Sequence, residues 1–325
     1  MEIPYLEYFG LTEKPFGLTP DAHFYYESQT HREAIEHLRF FLAQKEGFAC
    51  IYGDVGTGKT VLSRLFLDGL DKNIYNSALI LNPIMGEQEF LQAVLTELGI
   101  QYDNTLSKKD LFSKLEEFLI SEHKKGKETI IIIDEAQLIT NETFDFIRIL
   151  SNIETDKEKI LHIIFFGQHE LIERLKQPHM RYLAQRISII YRLKTLNINE
   201  VNHYITHRLL KAGSKGFVQF EEKGLEHIYK ASKGYPRVIN IICDRCLLFL
   251  YSRSASLVDE KVVKSVLEDE SISTLVEIEK EKENFQKRIY KWLPYLVATS
   301  VVLILIILAI FNIIPVHELF KNLKK

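Results

Sequence analysis

Cysteine is scarce in this 325-residue chain, and the three present, Cys50, Cys243 and Cys246, form no even set for a disulfide framework. A disulfide-stapled extracellular fold is thereby excluded, and a reducing compartment fits. Cys243 and Cys246 make a C-x2-C pair, but they lie in the helical, largely apolar run Val238 to Leu248 with no second ligand pair nearby. They read as small core residues rather than zinc or redox ligands. An excess of one charge is also lacking. With 41 basic and 44 acidic residues the net charge is −3, so no global basic field points to nucleic acid, although a local patch stays open. Met1 to Leu6 contain no basic segment leading into an apolar one, so no cleavable signal peptide is expected. Repeats and low-complexity tracts are absent. A hydrophobic content of 46% excludes disorder and supplies a core for two compact domains plus an appendage.

What the chain does contain is a phosphate-binding loop, Gly53-Asp54-Val55-Gly56-Thr57-Gly58-Lys59-Thr60, set between the apolar run Phe48 to Tyr52 and a helical pattern from Val61 to Leu67. Glycines let the backbone approach phosphates and turn successive N–H groups toward them, and the helix that follows presents its N-terminus to the same anion. Lys59 is placed to reach the β- and γ-phosphates. Thr60 is placed to offer its hydroxyl to Mg2+, which takes oxygen ligands and keeps several waters. A nucleoside triphosphate is therefore the expected ligand. No Asn-Lys-x-Asp tetrapeptide is present, which argues against a switch-type GTPase and for ATP.

A second element completes this site. Thr129 to Ile133 is β-branched throughout, as a parallel strand covered on both faces requires, and it ends in Asp134-Glu135-Ala136-Gln137. Carboxylates emerging at the C-terminal end of such a strand stand where open α/β sheets bind ligands. Asp134 suits the Mg2+ shell, and Glu135 suits the orientation and polarisation of an attacking water.

Strand signals at 77–81, 129–133 and 160–166 alternate with helical ones at 87–98, 108–122 and 144–153, which predicts an α/β fold whose parallel sheet is layered by helices. Upstream, a helix around His31 takes Thr30 as its N-cap. The aromatic lead-in through Phe24-Tyr25-Tyr26 reads equally as a wall for the adenine or as packing for the sheet edge. From Asn197 to about Glu270 only helices are expected, with Gly234-Tyr235-Pro236 as a break. Residues 271–291 form a charged connector. From Trp292 to Val316 no residue is charged, long enough for a transmembrane helix at 292–314. Trp292 and Tyr295 suit an aromatic belt, while Lys287, Arg288 and Lys291 on one side and Lys321, Lys324 and Lys325 on the other leave the charge rule undecided.

Six segments follow one another in order: Tyr5-Leu6-Glu7-Tyr8-Phe9-Gly10-Leu11-x3-Pro15-Phe16, the loop Gly53 to Thr60, Asp134-Glu135-Ala136-Gln137, Phe166-Gly167-Gln168, Leu183-Ala184-Gln185-Arg186-Ile187, and Gly234-Tyr235-Pro236-Arg237-Val238-Ile239-Asn240. The series resembles the AAA+ ATPases of the ExeA type, the general secretion pathway protein A family, with kin in type IV pilus biogenesis. An ATPase domain with its lead-in is expected at 1–196, a small all-helical lid at 197–270, and a single membrane crossing followed by a short tail at 315–325; the resemblance covers roughly the first four-fifths of the chain and implies an ATP hydrolase. It also implies an oligomer with active sites between subunits, anchored in a bacterial inner membrane with the ATPase facing the cytosol, and serving assembly of a secretion or pilus-type machine.

By the same resemblance, Gln168 is a sensor of the γ-phosphate or the lytic water, and Arg237 a lid arginine that reaches back to the phosphates. Arg186 is the expected finger offered to a neighbouring subunit, with Arg181 as its rival. Family members often continue into a peptidoglycan-binding domain, whereas here only Pro315 to Lys325 follows the apolar run, so a partner is expected to supply any cell-wall contact. A DNA-handling ATPase similar to transposition helper proteins is the alternative, on the strength of Arg208, Lys211, Lys215 and Lys223 in the lid. No appended DNA-binding domain follows the lid, and nucleic acid is not expected as a partner. A scaffold that binds nucleotide without turnover is disfavoured by Glu135.

Overall fold

The structure is a computed structural model and describes residues 3–19, 21–154, 158–269 and 274. In chain order the elements are α1 (Pro4–Phe9), α2 (Gln29–Ala43), β1 (Phe48–Gly53), α3 (Lys59–Asp68), β2 (Tyr75–Ile80), α4 (Glu87–Glu97), α5 (Lys108–Lys124), β3 (Glu128–Ile133) and α6 (Asn141–Leu150). They continue with β4 (Leu161–Gly167), α7 (His169–Leu175), α8 (Arg181–Ala184), β5 (Ile187–Leu193), α9 (Ile198–Lys211), β6 (Gln219–Phe220), α10 (Glu222–Ser232), α11 (Pro236–Ser252), β7 (Leu257–Val258) and α12 (Glu260–Glu268). Met1–Val266 group into one compact unit.

Five parallel strands form the sheet in the order β2-β3-β4-β1-β5. The strand side-chain period of two divides the apolar residues between its faces. Ile131, Ile133, Ile163 and Phe165 pack with Leu91, Leu111 and Phe144 on one face. Ile130, Ile132, Ile164 and Phe166 pack with Leu38, Phe41 and Leu62 on the other. All four isoleucines of β3 are fully buried, and burial of each side chain contributes about 1.5–3 kcal/mol. That two-sided cover explains the unbroken apolar run and fixes the height at which Asp134 leaves the sheet.

Several local expectations are corrected. The cap of α2 is Ser28, whose hydroxyl accepts from the His31 N–H, and Thr30 already lies inside the helix. The cap sequence Asn197 to Glu200 starts α9 with reciprocal bonds, Glu200 N–H to the Asn197 side chain and Asn197 N–H to the Glu200 carboxylate. Strand β5 was not expected at all. Among the described residues it pairs only with β1, and its residues alternate between half-buried and exposed up to the buried Leu193.

The region after Leu196 is also not purely helical, because β6 and β7 form a two-stranded parallel ladder, Gln219 beside Leu257 and Phe220 beside Val258. Cys243 and Cys246 are buried on α11. Burial alone pushes the Cys246 thiol up to about 12. Among the described residues no helix is long and apolar enough to cross a membrane. The expected crossing at 292–314, the tail at 315–325 and, apart from Thr274, the connector at 271–291 lie outside the described residues.

Candidate active site

Strands β1, β3 and β4 are neighbours, so their C-terminal ends bring three sequence-distant segments together. The phosphate loop leaves β1, Asp134-Glu135 leaves β3, and Gln168 leaves β4 into α7. Lys59 is 95% shielded from solvent, and its ammonium donates to the Gly53 and Asp54 carbonyls at 2.9 and 2.8 Å. Burial lowers its pKa, opposed by the negative charges of Glu135, Asp134 and Asp54. Such a partly desolvated cation needs more negative charge than carbonyls supply.

The Thr60 hydroxyl donates to the Asp134 carboxylate at 2.6 Å. The Glu135 N–H donates to the other Asp134 oxygen at 2.9 Å. Burial raises the Asp134 pKa, and the Thr60 and Glu135 hydrogen bonds pull against that rise. A hydroxyl and a carboxylate in contact beside a phosphate loop form the oxygen-only donor set that suits Mg2+, so the residues present fit the ion. Among the described residues no cluster of three or more His, Cys, Asp or Glu side chains could hold a metal by itself.

Glu135 occupies the left-handed region, with φ at 49°. For a glutamate this costs on the order of 1–3 kcal/mol and is held by its surroundings. Those surroundings are two amides: Gln137 Nε2 and Gln168 Nε2 both donate to Glu135 Oε2, at 2.5 and 3.0 Å. Gln137 Oε1 in turn accepts the Gln168 N–H at 3.0 Å, closing a triangle across the ends of β3 and β4. Gln137 closes the sequence motif that begins at Asp134, and the pairing of β3 with β4 brings it to Gln168.

A cleft of about 270 Å³ opens beside the loop. One wall is Val55 to Val61; another is the lead-in with Leu18, Tyr25 and Tyr26; a third is formed by Tyr204 and Arg208 of α9 and Arg237 of α11. The aromatics therefore line the cleft. Arg237 packs on the loop itself, since a Cβ at Gly56 would lie 2.9 Å from the Arg237 Cβ. Arg208 is buried: Nε donates to the Pro15 carbonyl, Nη1 to the Tyr204 hydroxyl at 2.8 Å, and the guanidinium stacks 4.8 Å from the Phe24 ring. It thus ties α9 to the lead-in, and its burial takes it out of the exposed basic set that would face DNA.

His31 supports the loop from below. Its Nε2 meets the Thr57 carbonyl at 2.9 Å and its Nδ1 the Ser28 hydroxyl at 2.7 Å. A carbonyl only accepts, so Nε2 carries the proton and Nδ1 accepts from Ser28. Burial lowers the His31 pKa, which favours this neutral ring. The buried face Ala34, Leu38 and Phe41 of α2 includes His31 at helical spacing, which is the sequence signal for its inward position.

Arg186 lies away from this site. It precedes β5, whose first residue pairs with Phe48 and whose last pairs with Gly53 of the loop. At about 3.3 Å per residue that separation is roughly 20 Å. Its guanidinium donates to Ser151 Oγ and Asn152 Oδ1 at 2.9 and 2.7 Å, at the end of α6. Arg181 opens α8 and is exposed, and among the described residues its guanidinium has no hydrogen bond or ion pair.

An AAA domain family model matches residues 42–175. The chain is 38% identical over 251 residues to general secretion pathway protein A of Aeromonas hydrophila, a match covering 77% of this chain and 46% of that protein. It thus spans about half the length of this curated relative. Among solved structures it is similar to the Aeropyrum pernix ORC2 protein in its ADPNP-ADP complexes (TM-score 0.57, 16% identity, 77% of this chain and 72% of that chain). It is also similar to CDC6P from Pyrobaculum aerophilum (TM-score 0.59, 14% identity, 76% and 68%). At such identities the likeness shows the fold alone. The phosphate loop, the Asp134-Glu135 pair, the family match and the long alignment converge: the chain is an AAA+ ATPase of the ExeA type, the general secretion pathway protein A family.

Proposed function

We propose that this ATPase is a membrane-anchored motor or regulator that hydrolyses Mg-ATP to drive assembly of a secretion or type IV pilus-like envelope machine. The observation that carries the catalytic part is the Thr60 to Asp134 bond beside a Glu135 held by Gln168. In this reading the loop amides and Lys59 neutralise the triphosphate, and Thr60 and Asp134 hold Mg2+. When bound, the ion supplies charge neutralisation of the phosphate oxygens. Glu135 accepts a proton from, and orients, the attacking water. Gln168 meets the γ-phosphate or that water, and since its amide also bonds Glu135, nucleotide arrival and release of the carboxylate become one event. Arg237 approaches the phosphates from the lid.

Subunits assemble with active sites between them. Either Arg186 or Arg181 reaches a neighbour's nucleotide, and the roughly 20 Å span of β5 keeps the start of that strand out of its own site. The exposed Arg181 is the less engaged of the two. The uncharged stretch from Trp292 to Val316 supports the membrane anchor, and the relationship to general secretion pathway protein A supports the envelope setting. The test is purification from detergent-solubilised membranes with identification of what accompanies the chain. Recovery of envelope-machine components, dependent on residues 292–314, is expected. Recovery from the soluble fraction with nucleic acid instead would overturn the reading in favour of DNA handling.

A further inference from the structure

Asp54 holds the second position of the phosphate loop, where only backbone N–H groups are needed for phosphate. A carboxylate there would repel a triphosphate unless engaged elsewhere, and it is engaged. Its Oδ2 accepts from the Tyr235 hydroxyl at 3.2 Å and lies 3.6 Å from Arg192 Nη2. Its Oδ1 lies 3.3 Å from His169 Nε2. The side chain is 23% exposed and is not part of the cleft lining. Four segments far apart in sequence therefore meet on one carboxylate: the loop, the start of α7, the end of β5 and the entry to α11.

Two of these segments carry proposed catalytic groups. His169 directly follows Gln168, and Tyr235 stands two residues before Arg237. The entry to α11 is held at a second point as well. Leu196 N–H donates to the Gly234 carbonyl at 3.0 Å, and a Cβ at Gly234, whose φ is +79°, would lie 1.9 Å from the Leu196 carbonyl oxygen. With Gly234 clasped to the sheet module and Tyr235 clasped to the loop, the first turn of α11 has one seat, and in it Arg237 packs on Gly56. The exposed Arg192, at 51%, and His169, at 37%, contribute little binding strength of their own. Arg192 balances the charge of Asp54, while the tyrosine bond to a charged acceptor supplies the directional tie.

We propose that Asp54 is a positioning residue for the lid: through the Tyr235 hydroxyl it seats the first turn of α11, and with it Arg237, over the phosphate loop. The proposal rests on the reading that Arg237 serves the phosphates. Tyr235→Phe removes only the hydroxyl and is the cleanest variant. In the full-length, detergent-solubilised protein, turnover of ATP should fall about tenfold, the factor lost with one hydrogen bond to a charged group. Nucleotide affinity should change less than about threefold, because the loop amides and Lys59 are untouched.

Asp54→Ala should behave as Tyr235→Phe, and the double variant should be no worse than either. Asp54→Asn, whose amide oxygen can still accept the hydroxyl, should recover part of the loss. In an Arg237→Ala background, Tyr235→Phe should have no further effect. If Arg237→Ala lowers turnover but Tyr235→Phe leaves it at wild type, or if the two losses multiply, the seating role is wrong while the arginine reading stands. If Arg237→Ala itself turns over ATP as wild type, that reading falls and takes the proposal with it.

Discussion

Gly58→Ala probes the support of the phosphate loop at a single atom. Gly58 has φ at +93°, and an added Cβ would lie 2.9 Å from His31 Nε2 and 3.5 Å from Cε1. The left-handed backbone alone costs an alanine about 1–2 kcal/mol. Relieving the clash requires the buried imidazole to move, which breaks its bond to the Thr57 carbonyl, a loss of about 0.5–1.5 kcal/mol. Together the change should destabilise the protein by about 2–3 kcal/mol. The Thr57-Gly58 peptide would shift away from the phosphate position, and ATP affinity should fall at least about tenfold.

Urea unfolding and calorimetric titration with ATP measure the two quantities. Adding His31→Ala removes the steric part but not the backbone part, so the pair should be less than additive by about 1 kcal/mol. Wild-type affinity in Gly58→Ala, with stability changed by less than about 0.5 kcal/mol, would refute the account of how His31 and the loop fit together.

Three further outcomes are expected. Since burial lowers the His31 pKa below its usual 6.5, the folded state prefers the neutral ring, and protonation on acidification favours the unfolded chain. Stability should therefore decline as pH falls through about 6.5, with this residue adding a slope of at most about 1.4 kcal/mol per pH unit; His31→Gln should remove that component, and an unchanged difference in urea midpoints between pH 7.5 and pH 5.5 would argue against it. Alanine at Arg181 or at Arg186 should leave ATP binding within about threefold while lowering turnover about a thousandfold for whichever arginine serves the neighbour. Mixing that variant with Lys59→Ala protein should restore turnover, whereas no restoration with either would argue against sites shared between subunits. A chain ended at Glu270 should stay in the soluble fraction and bind ATP, while the full chain should require detergent; a full chain that stays soluble would remove the anchor.

The site was legible in the sequence wherever chemistry is local. The glycine spacing before Lys59 and the isoleucine run ending at Asp134 each sit within a few residues of the strand end that aims them, whereas Gln168 was singled out only by the family resemblance. Contacts assembled by the fold were not legible. Asp54, His169, Arg192 and Tyr235 come from four segments, and no spacing rule joins them. Strand β5 escaped because Ser188 and Arg192 interrupt its apolar residues, as an edge strand with one exposed face permits. The β6 and β7 ladder is too short to give a periodic signal.

Arg208 was misplaced for a different reason. Val201, Tyr204, Ile205, Arg208 and Leu209 fall on one buried face of α9, so periodicity puts the arginine inside, while its charge suggested the surface. Gln137 illustrates a further limit. Its position in the motif was visible and its bond to Glu135 is local, yet its bond with the Gln168 N–H depends on β3 and β4 being neighbours.

The central claim is that Glu135 activates water at a site whose binding of ATP depends on Lys59. The most direct measurement is ATP affinity and single-turnover hydrolysis for Glu135→Gln and Lys59→Ala side by side. Glu135→Gln should bind ATP within about threefold of wild type and hydrolyse it at least about a hundredfold more slowly, whereas Lys59→Ala should lose binding. Hydrolysis by Glu135→Gln at the wild-type rate, with ATP bound as tightly, would contradict the account.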